Sequence, residues 1–196
     1  MAQVEKFSEL SSRILERPNE FPTRLVGVDG CGGSGKSTFA KRLAEHLKAE
    51  AIIHTDDFAS WENPVDWWPR LLKQVVEPLS KGETAHWQRY DWEAKRLAEW
   101  HDTEPGGVVV IEGVTATQKA WREFLVYSIW IECSRDLRLE RGLERDGKEA
   151  HGLWEEWMAE EDEYVEKENP KAHADLIVDG ASSAENPENE FIKLTP

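Results

Sequence analysis

The sequence predicts an α/β protein, a three-layer α/β/α sandwich around a mainly parallel five-stranded sheet, and three observations carry that expectation. Residues 30–37 read GCGGSGKS, a phosphate-binding loop of the form Gly-x-x-x-x-Gly-Lys-Ser set between an apolar run and a helical pattern. Short apolar runs recur at 25–28, 51–54, 108–113, 127–133 and 174–178 and read as strands. Helical spacing separates several of them, and such alternation implies parallel strands covered on both faces.

Residues 4–15 place Val4, Phe7, Leu10, Ile14 and Leu15 at roughly helical intervals, which predicts an amphipathic helix within residues 1–22, ended by Pro18 and Pro22. The strand 25–28 leads into the loop. There Gly30, Gly32, Gly33 and Gly35 let consecutive N–H groups converge on phosphate oxygens where side chains would collide, with Cys31 and Ser34 in the same cradle. The helix over 38–48 carries Phe39, Leu43 and Leu47 on one face and adds its positive end. Lys36 is expected to reach the β- and γ-phosphates, the Ser37 hydroxyl to bind the Mg²⁺ that bridges them, and Thr38 to support the α-phosphate. That chemistry belongs to a nucleoside triphosphate. The same placement among phosphate-facing amides predicts a lowered pKa for the Cys31 thiol.

The second strand runs straight into Thr55-Asp56-Asp57-Phe58, so two carboxylates stand at a strand's carboxyl end, where ligands of open α/β sheets bind. Trp67, Trp68, Leu71, Leu72, Val75, Val76 and Leu79 mark a helix closed by Pro78 and Gly82. Residues 87–101 stay open between a helix and a ribbon of irregular strands. Pro105-Gly106-Gly107 turns the chain into the strand 108–113, which brings Glu112 as a third acid to a strand end. Helices are expected over 136–145 and over 153–165, the latter crowded with glutamates on its outer face, and residues 181–196 read as a polar tail.

A length of 196 residues suits one domain, residues 1–180, ahead of that tail. The net charge of −15, from 39 acidic against 24 basic residues, argues against nucleic acid or an anionic membrane as partner and leaves a small molecule. No basic-then-apolar leader and no run of membrane-spanning length is visible, so a cytoplasmic setting is expected. Cys31 and Cys133 are far apart and suggest no disulfide framework. Of ten tryptophans, Trp61, Trp67, Trp68, Trp87, Trp92 and Trp100 fall between the second and third strands, a cluster read first as packing.

With these residues placed, the chain resembles the uridine kinase-like branch of P-loop kinases, which also holds phosphoribulokinase and one class of pantothenate kinase. The likeness spans residues 24–180: GVDGCGGSGKST is similar to the family's phosphate loop, HTDDF to its strand-end Asp segment, RYD to its Tyr-Asp and VVVIEG to its strand ending in Glu-Gly. RLERGLERD resembles the lid, here within 138–151, and ENPKAHADLIVDG the closing segment. The resemblance implies a P-loop NTPase fold with a small lid, ATP and Mg²⁺ as cofactors, and transfer of the γ-phosphoryl group to an acceptor hydroxyl. It makes Asp56 the base or positioning group and a neighbour of the metal, sets Glu112 with Ser37 on the Mg²⁺ shell, and closes Arg141 and Arg145 over the phosphates. Asp57 assists through a metal-bound water, and Glu62, Arg89, Tyr90 and Asp91 are candidates to face the acceptor.

Two departures shape the expectation. Uridine-specific members carry a long insertion where only residues 59–61 separate Phe58 from Glu62, which predicts a smaller or differently shaped acceptor than a nucleoside. The lid lacks a second Arg-Gly and offers Lys148 and His151 instead. Competing readings are a P-loop ATPase coupled to a partner protein and a non-enzymatic nucleotide-binding regulatory module; a GTPase is disfavoured because no Asn-Lys-x-Asp follows the loop, and a homodimer is left open.

Overall fold

The computed structural model describes residues 2–59 and 67–194. Among them, seven strands form one sheet in the order β1 (Ala2–Lys6), β9 (Glu190–Leu194), β8 (Leu176–Asp179), β7 (Leu125–Glu132), β2 (Arg24–Asp29), β6 (Val108–Glu112) and β3 (Ala51–His54). The five strands expected from the sequence are the parallel ones, from β8 through β3. Two further strands extend one edge antiparallel, β9 on β8 and β1 on β9.

Both additions differ from the sequence expectation. Residues 2–6 form a strand before the helix α1 (Phe7–Glu16), although every side chain of β1 is at least partly exposed and Val4 is 55% exposed. Nothing apolar in that segment asks for burial; it is held through backbone pairing with β9, a partner more than 180 residues away. The tail is likewise structured: it supplies β9, whose Phe191 packs between Phe7 and Phe39.

Alternation along the parallel strands sorts the core into two faces, as a sheet covered on both sides requires. Val26 and Val28 of β2 and Val108 and Val110 of β6 face α1 and α2 (Lys36–Leu47), joining Leu10, Phe39 and Leu43. Leu25, Val109 and Ile111 face the other way, onto Trp67, Leu71, Val75, Leu79 and Trp121. The second layer is built by α3 (Trp68–Leu71), a π turn over Leu72–Val76 and α4 (Glu77–Lys81). Pro78 does not close this segment, contrary to expectation. A proline lacks the N–H of an α-helical bond and its ring clashes one turn back, and the wider π turn just before it absorbs both. Gly82, at φ +77, ends the helix.

The segment left open between helix and strand is a two-stranded antiparallel ribbon, β4 (Ala85–Asp91) and β5 (Arg96–Thr103), with a register shift between Gln88 and Tyr90. Of the six tryptophans singled out, Trp67 and Trp87 are buried, Trp68 and Trp92 pack partly buried against the same core, Trp100 remains half exposed, and Trp61 lies outside the described residues. After β7 come α5 (Arg135–Asp146), α6 (His151–Glu168) and the short α7 (Pro170–His173). No helix among the described residues is long and apolar enough to cross a membrane.

Candidate active site

The phosphate loop leaves β2 at Asp29 and enters α2 at Lys36. Gly33 and Gly35 have φ of +76° and +94°, the left-handed region, and a Cβ on Gly33 would lie 2.6 Å from the carbonyl oxygen of Arg138, so that position admits only glycine. Asp29 is fully buried and accepts from the amides of Gly30, Thr115 and Thr117, the Thr117 hydroxyl and the Tyr164 hydroxyl. Burial pushes its carboxyl up, against the pull of those donors. The network ties the loop's entry to the turn after β6 and to α6.

Helix α6 touches the loop at a second point. Glu161 accepts the Gly32 amide at 2.7 Å and the Arg138 guanidinium at 2.8 Å, and both partners of that ion pair are largely buried. This overturns the expected acidity of Cys31. Burial first, then the charge of Glu161, push its thiol up to about 12. The loop's positive character is locally cancelled by an internal carboxylate.

At the sheet's carboxyl edge, neighbouring strands bring three groups together. The Ser37 hydroxyl donates to Glu112 Oε1 at 2.8 Å, and His54 Nδ1 lies 2.6 Å from Glu112 Oε2. His54 and Glu112 are register partners on β3 and β6. Burial would raise the Glu112 carboxyl, but the His54 hydrogen bond, the charge of Lys36 and the Ser37 hydroxyl outweigh it and hold it below the ordinary carboxylate range. Among the described residues no group of three or more His, Cys, Asp and Glu side chains forms a metal cage. A hydroxyl and a carboxylate beside a phosphate loop nevertheless fit Mg²⁺, a hard cation usually held by one or two protein oxygens together with phosphate and water.

Asp56 and Asp57 follow His54 in a single 3₁₀ turn, Thr55–Asp57. Burial pushes the Asp57 carboxyl up, against the opposite pull of the nearby His54, Arg89 and His101 side chains. The β4–β5 ribbon closes over this turn through Trp92, whose indole N–H donates to the Asp56 carbonyl at 3.2 Å. Arg89 is held by Glu99 at 2.7 Å and by Asp91 at 3.4 Å, and Asp91 also caps the amides of Glu93 and Ala94. Among the described residues the buried Tyr90 hydroxyl has no hydrogen-bond partner. Glu62 lies outside the described residues.

The two lid arginines occupy different places. Arg141 donates to the carbonyls of Gly33 at 3.2 Å and Gly180 at 2.8 Å, fastening the phosphate loop to the end of β8. Arg145 chelates Asp146, lies over the Trp154 ring at 5.5 Å and feels the charge of Asp56. Beside Gly35, Thr38 and Arg141 opens a cavity of about 420 Å³ whose far wall is residues 182–184 with Phe191. Asp179 at the end of β8 lines it, whereas Asp56, Asp57 and Glu112 do not, so this space lies on the flank of the loop away from those three carboxylates.

His54, Arg138 and Glu161 are the residues that sequence reasoning passed over. His54 had a signal, since it ends the strand that leads into Asp56, as Glu112 ends its own. Glu161 had none: it is one glutamate in a helix full of them, and only long-range packing singles it out.

Comparison with known proteins gives consistent relatives. A family model described as AAA domain matches residues 26–170. A uridine kinase of Halobacterium salinarum is 27% identical over 83% of this chain and 83% of its own length. A uridine kinase of Macrococcus caseolyticus is 25% identical over 83% of this chain and 91% of its own. Among solved structures, one described as a possible uridine kinase from Bacillus stearothermophilus superposes with a TM-score of 0.64 at 21% identity, covering 87% of this chain and 96% of that one. A putative fructose transport system kinase from Silicibacter sp. TM1040 gives a TM-score of 0.61 at 20% identity, over 76% and 86%.

Proposed function

The chain belongs to the AAA domain family and groups with the uridine kinase-like branch of P-loop kinases, and on that premise we propose that it transfers the γ-phosphoryl group of ATP to a hydroxyl of a small molecule. The observation that carries this reading is the chain of contacts Ser37–Glu112–His54, which joins the phosphate loop to the strand that leads directly into the Asp56–Asp57 turn. Binding alone needs the loop and a cation site. Transfer also needs a group that orients an attacking hydroxyl and takes its proton, and the strand-end acids supply candidates for it.

In this reading Lys36 and the amides of residues 30–38 hold the phosphates, with Thr38 at the α-phosphate. Ser37 and Glu112 hold Mg²⁺, which when bound neutralises charge on the phosphates. Asp56 orients the acceptor hydroxyl, accepts its proton and borders the metal, and Asp57 assists it. Arg145 faces Asp56 across the site and can swing from Asp146 to the transferring group, while Arg141 steadies the loop from the β8 side. The cavity by Gly35 and Gly180 has room for the nucleotide's base and sugar. The acceptor lies by Asp57, Arg89, Tyr90, Asp91 and Glu62, and the short link after Phe58 favours a compact alcohol or sugar over uridine.

The test is an ATP-consumption screen over nucleosides, sugars, sugar phosphates and pantothenate-like alcohols, corrected for acceptor-free hydrolysis, with Lys36→Ala alongside. We expect one compact hydroxyl compound to stimulate turnover and Lys36→Ala to lower it by at least about 10²-fold, the scale of losing a donor to the transition state. ATP hydrolysis that no acceptor stimulates would replace transfer by a simple ATPase. Efficient uridine turnover would restore the nucleoside.

A further inference from the structure

We infer that His54 is a positioning residue for the cation site, fixing the Glu112 carboxylate so that its other oxygen accepts the hydrogen bond of the Ser37 hydroxyl and leaves the Ser37 oxygen lone pairs for Mg²⁺. The inference rests on the phosphoryl-transfer reading above and assigns a role to a residue that reading leaves idle.

Glu112 is only 3% exposed, so neither carboxylate oxygen has bulk water to turn to. One oxygen is engaged by Ser37 at 2.8 Å and the other by His54 at 2.6 Å. Glu112 is held as an acceptor, so the His54 Nδ1–H is the donor and the ring is fixed in one orientation. Two consequences follow from ordinary hydrogen-bond chemistry. A buried carboxylate stripped of one donor costs more than the bond itself is worth, and it relieves that cost by rotating toward a remaining donor. The nearest is the Ser37 hydroxyl. A carboxylate free to rotate then no longer presents one oxygen to Ser37 in a set direction, and the hydroxyl loses the orientation that aims its lone pairs at the cation. Groups that orient a metal's ligands in this way carry much of a site's affinity although they never touch the ion.

The backbone makes the arrangement repeatable. His54 and Glu112 are paired on adjacent parallel strands, so their side chains emerge level on the same side of the sheet edge. The His54 side chain is half exposed, and its Nδ1 is the nitrogen that reaches Glu112.

The atom that matters can be isolated by substitution. The side-chain nitrogen of asparagine sits where His Nδ1 sits, one bond beyond Cγ, whereas that of glutamine lies one carbon farther out. Calorimetry should therefore compare ATP binding with Mg²⁺ and with EDTA for the native protein and for His54→Asn, His54→Gln and His54→Ala. We expect His54→Ala and His54→Gln to weaken Mg-ATP binding at least about tenfold with metal-free ATP changed by less than about twofold, and His54→Asn to stay within about threefold of the native protein. Native-like Mg-ATP affinity in His54→Ala would overturn the inference. So would an equal loss in His54→Asn, or an equal loss with and without metal, which would place the effect in the fold. If the native protein binds ATP no better with Mg²⁺ than without, the transfer reading falls and this inference falls with it.

Discussion

Cys31 occupies a position where a thiol next to phosphate-facing amides would ordinarily be acidic, yet its thiol is pushed up to about 12. Burial contributes most and the Glu161 carboxylate next, while Arg138 and Lys36 pull the other way and lose. A shift from 9.0 to about 12 leaves roughly a thousandfold less thiolate at pH 8 than a free cysteine carries. Alkylation by iodoacetamide, followed by mass spectrometry, should thus be slow at Cys31 in the native protein and fast once the chain is unfolded in urea. Equal rates in both states would show the loop open and Glu161 away from it. The same shift has a stability sign. Above the ordinary thiol range the unfolded chain loses this proton before the native one does, so this residue's contribution makes stability fall as pH rises from about 9 toward 12.

Two elements at the sheet edge illustrate what local pattern can and cannot reveal. The phosphate loop, α2 and the central strands are legible because each carries its own signal: fixed glycines, a helical apolar stripe, or a run buried on both faces. The segment β1 carries none, since alternation needs a buried face and β1 has none. The strand β9 buries Phe191 alone of its three large apolar residues, and the rings that Phe191 meets lie near the chain's start. Its contribution is nevertheless large. Phe191 is 5% exposed, with ring centroids 5.1 Å from Phe7 and 5.3 Å from Phe39. Phe191→Ala should destabilise the protein by about 3 kcal/mol in urea denaturation, the lower end for deleting a buried phenyl ring, whereas Val4→Ala should stay within about 0.5 kcal/mol. A loss under about 1 kcal/mol at Phe191 would mean that the tail is not held in the core.

At the scale of the whole molecule, the five parallel strands, the carboxylates at their ends and the phosphate loop were readable, because an open parallel sheet places ligands at one edge whatever the side chains elsewhere; the order of the strands in the sheet was not. The internal anion on the loop was not readable, because it depends on where α6 docks. Net charge belongs to this scale too, and it opposes the site. The chain carries −15, and its nucleotide is itself an anion, so approach from solution is uphill until the local field of Lys36 and the α2 N-terminus takes over. The molecule's radius of gyration is roughly 16 Å for this length. At about 0.01 M salt the screening length of roughly 30 Å exceeds that radius, and every surface carboxylate repels the incoming phosphates. At about 0.15 M it shrinks to roughly 8 Å, and only charges lining the site are felt. The association rate of a fluorescent ATP analogue in stopped flow should therefore rise with salt over this range, the reverse of the usual behaviour of a basic phosphate-binding surface. A rate that fell steadily with salt would mean that Lys36 and its neighbours govern approach even at long range, and that the acidic surface is too distant from the site's mouth to matter.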